Sequence, residues 1–181
     1  MMSILENYIF EKVFITTDWH INHKAIIGFE GRPLDFKEQI IRNHSVMIGP
    51  NDLSINLGDV IFAKRSDLIW IMAKIQGKKV LTMGNHDTEK AQWYKNKGFD
   101  IVTDVFYYEN IVFSHQPVDL AMHPHVEYNI HGHFHNMLNR KDNRRAGFYP
   151  YYSDKHILLA IDDMNYKPVL LDEFLKNKLN T

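Results

Sequence analysis

The stretch Val13-Phe14-Ile15-Thr16-Thr17-Asp18-Trp19-His20 sets the reading of the whole chain. Its first four residues are β-branched or aromatic and read as a buried strand. That strand runs straight into an aspartate and a histidine. The same arrangement recurs further along. Residues 53–57 read as a strand ending at Gly58-Asp59, and residues 79–83 as one ending at Gly84-Asn85-His86-Asp87. The hairpin expected over 105–108 and 111–114 ends at His115, and residues 128–131 end at Gly132-His133-Phe134-His135. Helical patterns separate the early strands. One starts at Asp35, with Glu38 as the return half of a capping box. A second starts at Ser66 and a third covers 89–96. A last strand is expected over 157–161, and Asp172 is placed to cap a final helix. Strands alternating with helices, then mostly strands, predict an α/β layered domain with sheet packed on sheet and helices outside. In such sheets chemistry gathers at the carboxyl ends of the strands.

The totals agree with one soluble unit. With 181 residues, 45% hydrophobic and 24% charged, the chain reads as a single domain over 1–181 with a sizeable core. A formal net charge of −1 speaks against bulk electrostatic binding of nucleic acid. Cysteine is absent, which excludes disulfides, thiolate metal sites and cysteine nucleophiles. The N-terminal stretch carries acidic residues before any long apolar run and does not read as a signal peptide. No window approaches a membrane span, so a cytoplasmic location without membrane contact is expected. There are 11 histidines, and histidine is the commonest metal ligand.

Taken together, the polar strand-end residues are Asp18, His20, Asp59, Asn85, His86, His115, His133 and His135. Carboxylates, an amide oxygen and imidazoles suit divalent Mn, Fe, Zn or Ni. Asp18-x-His20 and His133-x-His135 each place two groups on one side of an extended segment, because strand side chains alternate. Any one of these pieces is common in turns and capped strands. Their order is not.

Those motifs, in that order from Thr17 to His135, resemble the calcineurin-like metallophosphoesterase superfamily. The resemblance implies a four-layer α-β-β-α sandwich, two mixed sheets with flanking helices, and two divalent metal ions at the strand ends. Manganese is the expected metal. Residue by residue, it implies that Asp18, His20 and His135 hold one metal and Asn85, His115 and His133 the other. Asp59 would bridge them through its two carboxylate oxygens. In similar enzymes a hydroxide bridging the metals attacks phosphorus. His86 matches the family's non-ligand histidine, implying a catalytic donor to the phosphate or leaving oxygen.

A closer likeness covers Asp18-Trp19-His20-Ile21-Asn22-His23, Gly31-Arg32-Pro33 and Asn165-Tyr166-Lys167-Pro168-Val169. These resemble small capless phosphoesterases of bacteria and phages. They imply that His23 and Arg32 lie near the site as substrate-binding residues, with Arg32 able to pair with a phosphate. The alternative for both is surface structure. Trp19 either walls the site or packs, and packing is preferred.

Two features bear on substrate. Serine/threonine protein phosphatases of this superfamily carry an acidic residue three positions after the bridging aspartate, then Arg-Gly. Val60-Ile61-Phe62-Ala63 lacks this, which disfavours a protein phosphatase. The loop over 136–156 interleaves Arg140, Lys141, Arg144, Arg145 and Lys155 with Phe148, Tyr149, Tyr151 and Tyr152. It is either a phosphate- and base-binding overhang or a solvated connection with tyrosines packed on the sandwich. The second is favoured. The expected activity is a metal-dependent phosphodiesterase acting on a small or nucleotide-like phosphoester. A nuclease or nucleotide pyrophosphatase is the alternative, with nucleic acid only weakly supported as a partner. A phosphomonoesterase or non-enzymatic scaffold ranks lower.

Overall fold

The computed structural model describes residues 9–135 and 149–179. In chain order the elements are β1 (Val13–Thr16), α1 (Ile26–Glu30), α2 (Phe36–Met47), β2 (Leu53–Asn56), α3 (Leu68–Met72), β3 (Lys78–Thr82) and α4 (Ala91–Lys95). Then follow β4 (Ile101–Thr103), β5 (Val105–Tyr108), β6 (Ile111–Ser114), β7 (Tyr128–His131), β8 (His156–Leu158), β9 (Val169–Leu170) and α5 (Leu171–Leu179). They build two mixed sheets, ordered β4-β3-β2-β1-β9 and β5-β6-β7-β8. β1 to β4 run parallel, with β9 antiparallel at the edge. β6, β7 and β8 run parallel, with β5 antiparallel.

Strand alternation divides the apolar residues between two layers. Ile15 pairs with Ile55 and Ile55 with Val80 across the first sheet. These side chains meet Phe106, Phe113, Ile130 and Ile157 of the second sheet in a dry interior, joined by Leu171 and Phe174 of α5. Phe14 and Leu81 point the other way. They pack beneath Ile26, Phe36, Ile40, Leu68, Ile71 and Tyr94 of the helical layer. Each fully buried Ile, Leu or Phe contributes about 1.5–3 kcal/mol. β1 is covered on both faces and is apolar through Val13-Phe14-Ile15, whereas β2 (Leu53-Ser54-Ile55-Asn56) alternates, with Ser54 and Asn56 buried as polar residues.

Several boundaries differ from the sequence reading. The expected capping box is not formed: Asp35 makes no capping bond and accepts from Gln39 Nε2 at 2.9 Å. Ser66 lies inside a 3-10 turn, Arg65–Asp67, and α3 begins only at Leu68. The last strand is shorter than 157–161. After Leu158 the chain leaves the ladder, and Ile161–Met164 forms a 3-10 turn that brings Asp162 to Arg32. α5 starts at Leu171 directly after β9, so Asp172 sits in its first turn. α1, β4 and β9 are too short to show a period in sequence. None of the described helices is long and apolar enough to cross a membrane.

Candidate metal centre

The ligand candidates do not sit on strands. β1 ends at Thr16 and β2 at Asn56. Beyond them the chain enters the left-handed region: Asp18 has φ 48°, His20 47°, Asp59 55°, His133 68° and His135 50°. Non-glycine residues seldom adopt this conformation, and it costs of order 1–3 kcal/mol each. The Asp18-x-His20 and His133-x-His135 pairs therefore converge through kinks, not through extended alternation. The kinks are held by the neighbouring loop. Asp18 N donates to Gly58 O at 3.0 Å, His20 N to Asp59 O at 2.8 Å and Ile21 N to Val60 O at 3.1 Å.

The side chains form two adjoining groups. In the first, Asp18 Oδ1 lies 3.7 Å from both His20 Nε2 and His135 Nε2. Asp18 Oδ2 is occupied elsewhere, accepting from Thr17 Oγ1 at 2.6 Å and His133 N at 3.0 Å. In the second, His115 Nε2 lies 3.0 Å from Asn85 Oδ1 and 3.2 Å from His133 Nδ1. Asp59 joins them: its Oδ2 is 3.5 Å from His20 Nε2 and 3.4 Å from His115 Nε2. Its Oδ1 accepts from His86 N at 2.8 Å. One oxygen thus faces both groups, where bridging through two oxygens was expected. Backbone donation holds the other oxygen away.

These groups fit a cation. Asp18 Oδ1 and both ring nitrogens of His20 are buried without a hydrogen-bond partner, an arrangement costly for polar atoms unless something else satisfies them. His115 Nδ1 lies 2.7 Å from Leu57 O, so it carries the proton and donates. Nε2 is then a bare acceptor facing the acceptor Asn85 Oδ1, and two acceptors at that distance repel unless a cation lies between them. The carboxylates and imidazoles of Asp18, His20 and His135, and of Asp18, Asp59 and His115, lie close enough to share an ion. Gly84 and Gly132 leave the needed space, since a Cβ at either would collide with Asp59 or with Thr17 and Asp18. Burial alone would raise the Asp18 carboxyl, but His135, His20 and His115 hold it well below the usual carboxylate range. Burial pushes His20 down against the pull of Asp18 and Asp59. Burial opposes the rise of His135, which Asp18 and Asp162 draw upward. A carboxylate ionised among imidazoles is a ligand set ready for a divalent ion.

His86 stands beside this centre. Its ring is 5.5 Å from that of His20, while the adjacent Asn85 side chain reaches His115 on the other side. His23 also lies close, its ring 5.4 Å from His20 and stacked on Phe62 at 4.1 Å. Burial and the neighbouring His20, His86 and Arg32 lower its pKa. Arg32 does not reach out for a phosphate. Its side chain is 0% exposed and makes four hydrogen bonds. Nε and Nη2 fork onto Asp162 at 2.7 and 3.1 Å, and Nη2 and Nη1 reach Asp18 O and Trp19 O. An aspartate 130 residues away, unseen in the sequence reading, neutralises it. Trp19 is buried and packs: Trp19 Nε1 donates to Thr16 Oγ1 at 2.8 Å, with its ring edge-on to His44.

A family model for calcineurin-like phosphoesterases matches residues 11–178. The chain belongs to that family. Calcineurin-like phosphoesterases hydrolyse phosphoester bonds and bind divalent metals, which agrees with groups here that could hold one. An uncharacterized protein of Methanocaldococcus jannaschii is 27% identical over 175 residues, covering 91% of this chain and 90% of its own. The crystal structure of a protein of unknown function from Aquifex aeolicus superposes with TM-score 0.72 at 22% identity, over 92% of this chain and 98% of that one. The nuclease MPE of Pseudomonas putida superposes with TM-score 0.50 at 20% identity, over 68% of this chain and 61% of that one. These structural likenesses speak to the fold.

Three parts of this calcineurin-like phosphoesterase site went unread in sequence. Asp87 lies inside the quoted Gly-Asn-His-Asp motif, yet its task emerges only in three dimensions. Its Oδ2 accepts from Asp59 N at 2.7 Å and Gly84 N at 2.9 Å, and its Oδ1 from Val60 N at 3.1 Å, tying the loops after β2 and β3. Phe62 forms an exposed aromatic ledge against His23 and His86. Asp162, in an acidic pair after the last core strand, had no motif to mark it. From the aromatic loop, Tyr149, Tyr151 and Tyr152 hydrogen-bond to Gln116, Pro117 O and His131, so these tyrosines pack on the sandwich. Arg140, Lys141, Arg144, Arg145 and Phe148 lie outside the described residues.

Proposed function

We propose that this chain is a binuclear metal-dependent phosphodiesterase acting on a small or nucleotide-like phosphoester. One observation carries the reading: seven candidate ligands from five separate loops meet in two groups that share Asp59 Oδ2, with His86 free beside them. Asp18, His20 and His135 would hold one ion, Asn85, His115 and His133 the other, and Asp59 both. Manganese is the favoured metal, with Fe, Zn or Ni as competitors for the same donors. When bound, such a pair supplies an activated water and neutralises phosphoryl oxygens. The protein's own part is positional. Asn85 and His86 diverge, so that one reaches His115 and the other stays beside His20, open to the phosphoryl or leaving oxygen. His86 would give a proton or hydrogen bond where negative charge develops. His23 and Phe62 form the wall next to it. The burial of Arg32 against Asp162 speaks for a structural role there and leaves the phosphate to His86 and the metals.

The diester preference follows from Val60-Ile61-Phe62-Ala63, which lacks the acidic-Arg-Gly element of protein phosphatases. The test compares turnover of a nitrophenyl phosphodiester, a phosphopeptide and nucleotides with added Mn²⁺. Faster phosphopeptide turnover would overturn the assignment. Nuclease action is the second reading, favoured by the shared fold with the Pseudomonas putida nuclease. Single-stranded DNA in the same assay decides between them. A non-enzymatic scaffold is disfavoured because no candidate ligand is lost.

A further inference from the structure

Arg32 and Asp162 form a buried unit behind one half of the centre. The guanidinium forks onto the carboxylate through Nε and Nη2, and two of its N–H groups bind the carbonyls of Asp18 and Trp19. A buried pair of this kind is expensive to form, and removing one partner strands the other charge. Such a pair calls for a role beyond packing. That role is visible on the far side of the carboxylate, where Asp162 Oδ2 lies 3.5 Å from His135 Nδ1. His135 Nε2 meanwhile faces Asp18 Oδ1. The separation of 3.5 Å is long for a hydrogen bond, and a ring shift of a few tenths of an ångström brings it into the ordinary range of about 2.7–3.2 Å. His135 Nδ1 is buried with no hydrogen-bond partner, and the carboxylate it faces is that of Asp162.

We propose that Asp162, held by Arg32, is a positioning residue for His135: its carboxylate accepts from the Nδ1–H of the ring and so turns Nε2 toward the Asp18–His20 half of the centre. Carboxylates that orient a ligating histidine in this way fix its tautomer and ring direction. Arg32 adds a second constraint on the same half, because it holds the carbonyls of Asp18 and Trp19, on which the path from Asp18 to His20 depends. One ion pair thereby links the turn after β8 to three candidate ligands. Among the described residues, neither Arg32 nor Asp162 hydrogen-bonds to Asn85 or His115, so the direct influence falls on the Asp18–His20–His135 half. The inference rests on the metal-dependent reading of the site.

The test uses the full chain stripped of metal and titrated with Mn²⁺ by calorimetry, for wild type, Asp162→Asn, Asp162→Glu and Asp162→Ala. Asp162→Asn keeps the size and one acceptor for Arg32, so its metal-free melting temperature should stay near that of wild type. One of two Mn²⁺ sites should weaken about 10–100-fold while the other is unchanged. Asp162→Glu should recover part of that loss. A titration of Asp162→Asn that superimposes on wild type overturns the proposal. So does a lowered metal-free melting temperature with unchanged Mn²⁺ affinity, which would make Asp162 an anchor for Arg32 alone. If Asp162→Ala does not fold, the Asn and Glu variants still decide. Failure of wild type itself to bind Mn²⁺ refutes the metal-dependent reading and the positioning role with it, a result distinct from either of the others.

Discussion

The backbone N–H of His86 donates to Asp59 Oδ1 at 2.8 Å. The candidate acid and the candidate bridging ligand are therefore set by the same turn. The bond leaves Oδ2 as the oxygen that meets both His20 and His115. It also means that the position of Asp59 does not depend on the His86 side chain.

Asp59→Asn should abolish nearly all activity and lose at least one metal. The amide oxygen would keep the bond from His86 N, which puts the NH₂ group where Oδ2 now faces both histidines. A donor there opposes a cation and removes a negative charge shared by two of them. Metal analysis of the purified variant reads the outcome. Two fully occupied metals would show that Asp59 does not bridge.

His86→Ala should lower kcat by about 10²–10⁴-fold with both metals retained, as for a group acting mainly in the transition state. The backbone N–H survives the change, so Asp59 stays in place. KM should move less than kcat, and the loss should shrink for acidic leaving groups. Loss of a metal would make His86 a ligand. Full kcat on a poor leaving group would make it structural.

Asp87→Ala should destabilise the metal-free protein by about 3 kcal/mol or more, because three backbone N–H groups lose their acceptor at once and each orphaned buried donor costs about 1–3 kcal/mol. Urea unfolding without metal measures this. A variant within error of wild type would mean that water or a rearranged loop replaces the carboxylate.

His44 supplies a pH dependence remote from the candidate metal centre. It is buried beneath Trp19, with Nδ1 donating to Ile40 O at 2.7 Å and Nε2 accepting from Thr16 Oγ1 at 3.0 Å. Burial lowers its pKa from 6.5 to about 4. A histidine held neutral when folded contributes stability above its unfolded pKa. That contribution falls as pH drops from 6.5 towards 4, because the unfolded chain takes up the proton first. At about 1.36 kcal/mol per pH unit for one proton, the loss is about 3 kcal/mol. His131, lowered to about 3 by burial, acts with the same sign. His44→Leu should be less stable than wild type at pH 7.5 but lose less between pH 6.5 and 4. Equal slopes in urea unfolding of the two metal-free proteins would count against this.

Much of this protein is determined by sequence alone. The order of chemical types at strand ends, Asp18 and His20, Asp59, Asn85 and His86, His115, His133 and His135, depends on neighbours along the chain. So does the β-branched and aromatic run of β1, whose two faces are both covered. Only the tertiary structure decided direction and partnership. The left-handed backbone at five ligand candidates is strain that neighbouring loops hold in place, and no local propensity reports it. Which oxygen of Asp59 faces the two groups was settled by an N–H from another loop. Arg32 read as a substrate-binding residue beside the site, and only the fold brought Asp162, 130 residues on, against it. A short-range pattern registers what a residue can do chemically. What it touches is set by long-range packing, which closes only when both sheets and their loops are in place.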